Sequence, residues 1–378
     1  MAKSGIQFIK DKIQSYGQEK ASKNQTIRLL RAIGTPFSSA RADSGAETQE
    51  QYDLAYKNKI PLLYLDTLKQ QGKLKELEPE YREHCDRYET FLRVLAKSAK
   101  TLEAAHIEYV AFKSVRPYRA VPGDIDIIIY GDGNVYDRAC DAFLRQDYKE
   151  AVSDGPTPTR GDLMDFKENV PLDLQVELRV SHIIYMNKEN FRKEIVEVQL
   201  PGGGGVRILK PEYDLATVII HSISEQLYIL GEYYTFLHRL AQMDDGQMSK
   251  FVDVLKENKI KSAARAHLTI TATLCEAAYG AIPDKLERLL EEIGVERSTV
   301  SRVVKSDFEM PQRYGIRATA RVGLEKMKEK KFRRSVGSQV VHMLDPRMAV
   351  FVISKGIERR RRKYYIKDYV KKKIKFKE

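Results

Sequence analysis

Asp124 and Asp126 stand two residues apart in AVPGDIDIIIY, residues 120–130, at the head of a run that is otherwise apolar. Residues two apart on a strand point to the same face and lie roughly 6.7 Å apart along it. That spacing suits carboxylates that share divalent cations. Two such ions about 3.5–4 Å apart, held by this pair and a third acid, serve phosphoryl chemistry. Like charges on one half-buried face are costly without a counter-charge, so a cation is expected beside the pair with or without a metal.

Two nearby segments offer the remaining parts. In PLDLQVELR, residues 171–179, Asp173, Gln175 and Glu177 alternate with Leu172, Leu174, Val176 and Leu178. Either Asp173 or Glu177 could supply the third carboxylate; both could equally face water on a one-sided sheet. Just before the aspartate pair, Lys113, Ser114, Arg116 and Arg119 place three cations and a hydroxyl within seven residues. They could grip a polyphosphate from the side opposite the metals, or simply neutralise Asp124 and Asp126 as ion pairs.

The elements that must position these side chains follow from periodicity. YETFLRVLAKSAKTLEAAHI, 88–107, repeats apolar residues at three and four and predicts an amphipathic helix. EYVAFKS predicts a short strand, RPYRAVPG a loop, and DIDIIIY a buried strand rich in isoleucine. VYDRACDAFLRQDY predicts a helix, PTPTRGDLMDF a loop with an edge strand, and VPLDLQVELRV one alternating strand. EIVEVQLPGGGGVRIL predicts two strands joined by the glycines at 202–205; with no GK[ST] and no GxGxxG opening a helix, a hairpin turn is favoured over a phosphate cradle. Helical patterning covers residues 1–33 and resumes from 49. After the sheet it covers 211–242, 247–278, 283–305 and 316–343.

FKSVRPYRAVPGDIDIII resembles the LKG…Y…R…DIDLLV segment of an uncharacterised group of nucleotidyltransferases in the DNA polymerase beta-like superfamily. DLQVEL, in the place of that family's third-carboxylate strand, and VRILKPEYDLATVIIHSISEQ, similar to its vrvLspEdlLlhlclH, follow in the same order, so the likeness runs over about 88–245. It implies an α+β fold: a polymerase-beta-palm mixed sheet with helices on one side, a helical N-terminal region and a helical C-terminal domain. The corresponding boundaries are 1–85, 86–210, 211–354 and a basic tail at 355–378.

The resemblance also implies roles. Asp124, Asp126 and Asp173 would ligate two Mg²⁺, with Mn²⁺ an alternative, and Asp173 would hold or activate an acceptor hydroxyl. Lys113 and Ser114 would face the triphosphate of an NTP, and Arg116 and Arg119, placed by the cation spacing above, would add to that grip. Glu177 stays an alternative third ligand. His221 matches a family histidine, with a hydrogen-bonded core histidine the plainer account. Two positions depart from the pattern: Ser114 stands where the family has its first glycine, with Val115 after it, and DlHw reads Asp173-Leu174-Gln175-Val176. The implied activity is transfer of a nucleoside monophosphate to an acceptor that is a small molecule, a protein or an RNA end. The competing expectation is a degenerate relative that binds without turnover, its basic tail at 355–378 docking nucleic acid or an anionic membrane surface.

Composition bounds the rest. At 378 residues the chain is long enough for two or three domains. Cys85, Cys140 and Cys275 have no zinc-ligand spacing and no disulfide framework, which fits a reducing compartment. No apolar run approaches the ~18 residues of a membrane span, and MAKSGIQFIKDKIQ is too polar for a signal peptide, so a cytoplasmic protein is expected. Of the net charge of +12, the tail at 355–378 carries +9, from twelve Lys or Arg against three acids. Tyr364, Tyr365, Ile366, Tyr369, Val370, Ile374 and Phe376 interleave with those cations, a composition suited to nucleic acid or an anionic membrane surface, or to a solvated helix.

Overall fold

The computed structural model describes residues 2–37, 48–150, 160–180, 183–350 and 353–354. The basic tail at 355–378, all of 151–159, and 38–47 within the 34–48 segment lie outside them. The protein is α+β, with a seven-stranded mixed sheet. Two compact units divide the chain.

The sheet unit comprises Cys85–Val115, Val121–Lys210 and Glu329–Glu378. Its strands are β1 (Tyr109–Ala111), β2 (Ile125–Ile129), β3 (Tyr148–Glu150), β4 (Asp162–Asp165), β5 (Val170–Gln175), β6 (Leu178–Val180), β7 (Ile183–Met186), β8 (Ile195–Gln199) and β9 (Gly205–Leu209). The large sheet runs β3-β4-β5-β2-β1-β9-β8, while β6 and β7 form a separate antiparallel ladder. Within the sheet β2 pairs parallel with β5, and β1 parallel with β9; the other neighbours are antiparallel.

One face of this sheet is apolar by strict alternation. Ile125, Ile127 and Ile129 share a buried cluster with Leu172, Leu174, Val206 and Ile208. Phe91, Leu95, Ala99 and Leu102 from the helix Glu78–Ala104, and Ala139, Cys140 and Phe143 from the helix Gly133–Leu144, complete that cluster. Each buried Ile, Leu, Val or Phe in it contributes about 1.5–3 kcal/mol of hydrophobic stabilisation, which anchors the register of β2 and β5. The Gly133–Leu144 helix starts sharply because the Asp132 carboxylate accepts the N–H groups of Asn134 and Val135. Between β8 and β9, Gly202, Gly203 and Gly204 take φ of 90°, 96° and 93°, so the four-glycine run is a hairpin turn in a conformation that side chains disfavour.

Two expectations about strands are corrected. VPLDLQVELRV is not one strand: β5 stops at Gln175, Val176 and Glu177 bend, and β6 pairs with β7 instead of continuing the large sheet. Alternation survives a two-residue bend unchanged, which is why the pattern looks continuous. β4 is not an edge strand, since β3 pairs with its outer side.

The helical unit comprises Met1–His84, Arg116–Ala120 and Pro211–Lys328, so helices from both sides of the sheet segment in sequence share one unit. Residues 1–33 resolve into Ala2–Tyr16, Gln18–Lys23 and Gln25–Ile33. The buried helix Lys261–Tyr279 packs against Ala2–Tyr16, Gln25–Ile33, Pro211–Ser224, Asp284–Ile293, Arg297–Lys305 and Ile316–Lys326. Its Ala263, Ala264, Ala266, Ala272 and Ala277 keep it slim enough for several neighbours to approach.

Candidate functional site

The face of β2 opposite Ile125, Ile127 and Ile129 carries Asp126. Asp126 lies in register with Asp173 on the adjacent parallel strand β5, and Asp173 lies in register with Asp162 on β4. Asp124 precedes β2 and acts on both Asp126 and Asp173 through its charge. Four carboxylates from three neighbouring segments thus converge, one more than the sequence suggested. Asp162 was missed because cross-strand register is not written in local spacing.

The counter-charge is Lys113. Its Nζ lies 3.2 Å from Asp126 Oδ2, and each side chain is only 9% exposed. Gln175 adds a neutral donor, Nε2 reaching Asp173 Oδ2 at 2.6 Å and Asp126 Oδ1 at 3.4 Å. These partners do not balance the cluster. Burial drives the Asp126 carboxyl well above the ordinary carboxylate range; Lys113 opposes this while Asp124 and Asp173 add to it. Burial likewise pushes Asp173 up to about 7, reinforced by the charges of Asp162 and Asp124 and opposed by Gln175 and Lys113.

The turn that carries Lys113 has its own geometry. Lys113 adopts a left-handed φ of 57°, an unfavourable conformation for a side-chain-bearing residue by about 1 kcal/mol, whereas Ser114 and Val115 do not have positive φ. The backbone at Ser114 therefore makes no conformational demand for the glycine that the resembling family has there. Its buried hydroxyl donates to Phe112 O and accepts from Asp126 N–H, both at 3.0 Å, fastening the turn to the first residues of β2.

Comparison with known proteins gives no match: no family model, no curated protein and no solved structure.

The other sequence candidates have partners of their own. Arg116 and Arg119 belong to the helical unit. There Arg116 Nη1 donates to Thr235 Oγ1 at 2.7 Å, and Arg119 Nη1 pairs with Asp66 Oδ1 at 2.7 Å and reaches Tyr81 Oη at 3.3 Å. Glu177 sits beyond the bend after β5 and pairs with Lys331 Nζ at 3.1 Å, so Asp173 is the acid that joins the aspartate pair. His221, in the helical unit, faces Glu225 Oε1 at 3.8 Å across one helical turn.

Among the described residues no group of three His, Cys, Asp or Glu side chains is already disposed to hold a metal ion. Asp126 is turned to Lys113 and Asp173 to Gln175. The donor chemistry nonetheless fits a hard divalent cation: Asp124, Asp126 and Asp173 provide oxygens only, on a face that is short of positive charge.

Proposed function

We propose that the chain is a metal-dependent nucleotidyltransferase with a polymerase-beta-like palm, moving a nucleoside monophosphate from an NTP to an acceptor hydroxyl. The observation that carries this proposal is the register of Asp126 with Asp173 across β2 and β5, with Asp124 close enough to raise both. Asp124, Asp126 and Asp173 would hold Mg²⁺ or Mn²⁺. Bound there, two such ions would neutralise the triphosphate and align the α-phosphate for in-line attack. Asp173 would orient the acceptor hydroxyl and take its proton. Lys113, now against Asp126, would turn to the triphosphate, its charge serving either anion.

One observation favours a second reading, a binding protein without turnover. Lys113 already neutralises Asp126, and the Ser114 hydroxyl is committed to its own turn. Titration calorimetry of each NTP with Mg²⁺ into wild type, Asp124→Ala and Asp126→Ala separates the two. Heat seen with wild type and lost in both variants supports a working metal site. Absence of heat with every nucleotide overturns nucleotidyl transfer and leaves the second reading.

A further inference from the structure

In the sheet unit the helix Lys330–His342 packs on β7 through Phe332, Ser335 and Gln339. The Phe332 ring meets Tyr185 edge-on at 5.8 Å, and Ser335 Oγ accepts the Ile184 N–H at 3.0 Å. These contacts fix which side of the helix faces outward. That side begins with the exposed Arg333 and Arg334 and ends with Val340 and Val341, 57% and 64% exposed. Leu344 follows one turn later, 78% exposed, and Val350 and Ile353 are 67% and 56% exposed.

Single exposed aliphatics are ordinary on a protein surface, but five within fourteen residues, all exposed among the described residues, form a patch. The chain continues from this patch into 24 residues of net charge +9, interleaved with Tyr, Ile, Val and Phe. An apolar patch followed in sequence by concentrated cations matches the two layers of a bilayer surface, acyl chains beneath anionic headgroups.

We propose that this end of the sheet unit docks on an anionic membrane surface. Val340, Val341 and Leu344 seat at the boundary between headgroups and acyl chains. Arg333, Arg334 and the basic tail meet lipid phosphates. Association is interfacial, since no helix among the described residues is long and apolar enough to cross a membrane. Nucleic acid would use the tail but gains nothing from exposed valine and leucine, which have no ring to stack on bases. A second copy would bring another +9 tail against the first.

Sedimentation of the full chain with phosphatidylcholine vesicles, with and without 30% phosphatidylserine, tests this. Expected is at least tenfold stronger partitioning to the anionic vesicles at 0.1 M salt, weakening at 0.5 M. The double variant Val341→Asp/Leu344→Asp should lose at least fivefold while its circular dichroism and thermal midpoint stay unchanged, because both positions are exposed. Wild-type indifference to phosphatidylserine overturns the proposal. So does equal partitioning of wild type and double variant, which would leave the tail charge alone responsible. Dimerisation abolished by the double variant, without vesicle binding, would assign the patch to a second copy.

Discussion

Lys113 Nζ stands 3.2 Å from Asp126 Oδ2, with both side chains almost wholly withdrawn from solvent. This pair explains how β2 tolerates a carboxylate in a strand that is otherwise part of the core. Removing one partner of a buried pair strands the other, at about 3–5 kcal/mol, whereas replacing both with apolar groups is far milder. Lys113→Met is therefore expected to destabilise the sheet unit by about 3 kcal/mol at pH 8. The loss should shrink in acid, where Asp126 takes up a proton. Lys113→Met/Asp126→Leu should cost less than the sum of its single changes, as measured by urea unfolding. Additive losses would deny the coupling.

Asp173 sets a pH dependence of definite sign. Its carboxyl is raised from 3.8 to about 7 in the folded chain, so the native state holds a proton that the unfolded state has released. Stability from this group is complete below about pH 4 and declines as pH rises through 7. Asp173→Asn removes the charge and should raise the thermal midpoint at pH 8, by a free energy of at most about 4 kcal/mol, with little effect at pH 4. Millimolar Mg²⁺ or Mn²⁺ should stabilise wild type at pH 8 and leave Asp126→Asn unchanged. A midpoint of Asp173→Asn that is equal to or below wild type at pH 8 would contradict the burial of an ionising group there.

Local signals were legible where they were strong. The Ile125, Ile127, Ile129 alternation placed the aspartates on the opposite face of a buried strand, and the glycines at 202–205 gave a hairpin. What local spacing does not carry is where the chain goes next. Glu177 keeps the alternation of Asp173 and Gln175, yet a two-residue bend carries it out of the large sheet. Arg116 and Arg119 follow Lys113 within six residues, but their partners Thr235 and Asp66 are distant in sequence, and five residues of the loop fold with the helices. Asp162 became a neighbour of Asp173 only through β4–β5 register.

Glu177 offers a control for the acidic cluster. It is 20% exposed and paired with Lys331, itself 45% exposed, so the pair contributes at most about 1 kcal/mol. Glu177→Gln should leave Mg²⁺-dependent nucleotide binding unchanged in calorimetry, whereas Asp173→Asn should abolish it. Loss of binding in Glu177→Gln would return Glu177 to the site.

His267 gives the helical unit an acid sensitivity opposite in sign to that of Asp173. Its ring is fully buried beside Tyr228 and Phe236, Nδ1 meets Tyr314 Oη at 2.9 Å, and Nε2 has no hydrogen-bond partner among the described residues. Burial alone lowers its pKa from 6.5 to about 3. Between those values the unfolded chain binds a proton that the native chain refuses. Stability is therefore full above about 6.5 and falls by up to about 1.4 kcal/mol per pH unit toward 3. Exchange of the amides in Lys261–Tyr279, followed from pH 7 to 4, reports this helix directly and is the measurement. His267→Gln should flatten the opening free energy against pH even if it lowers stability at pH 7, because the slope reports proton uptake and the offset reports packing. An unchanged slope would mean that another group takes up the proton.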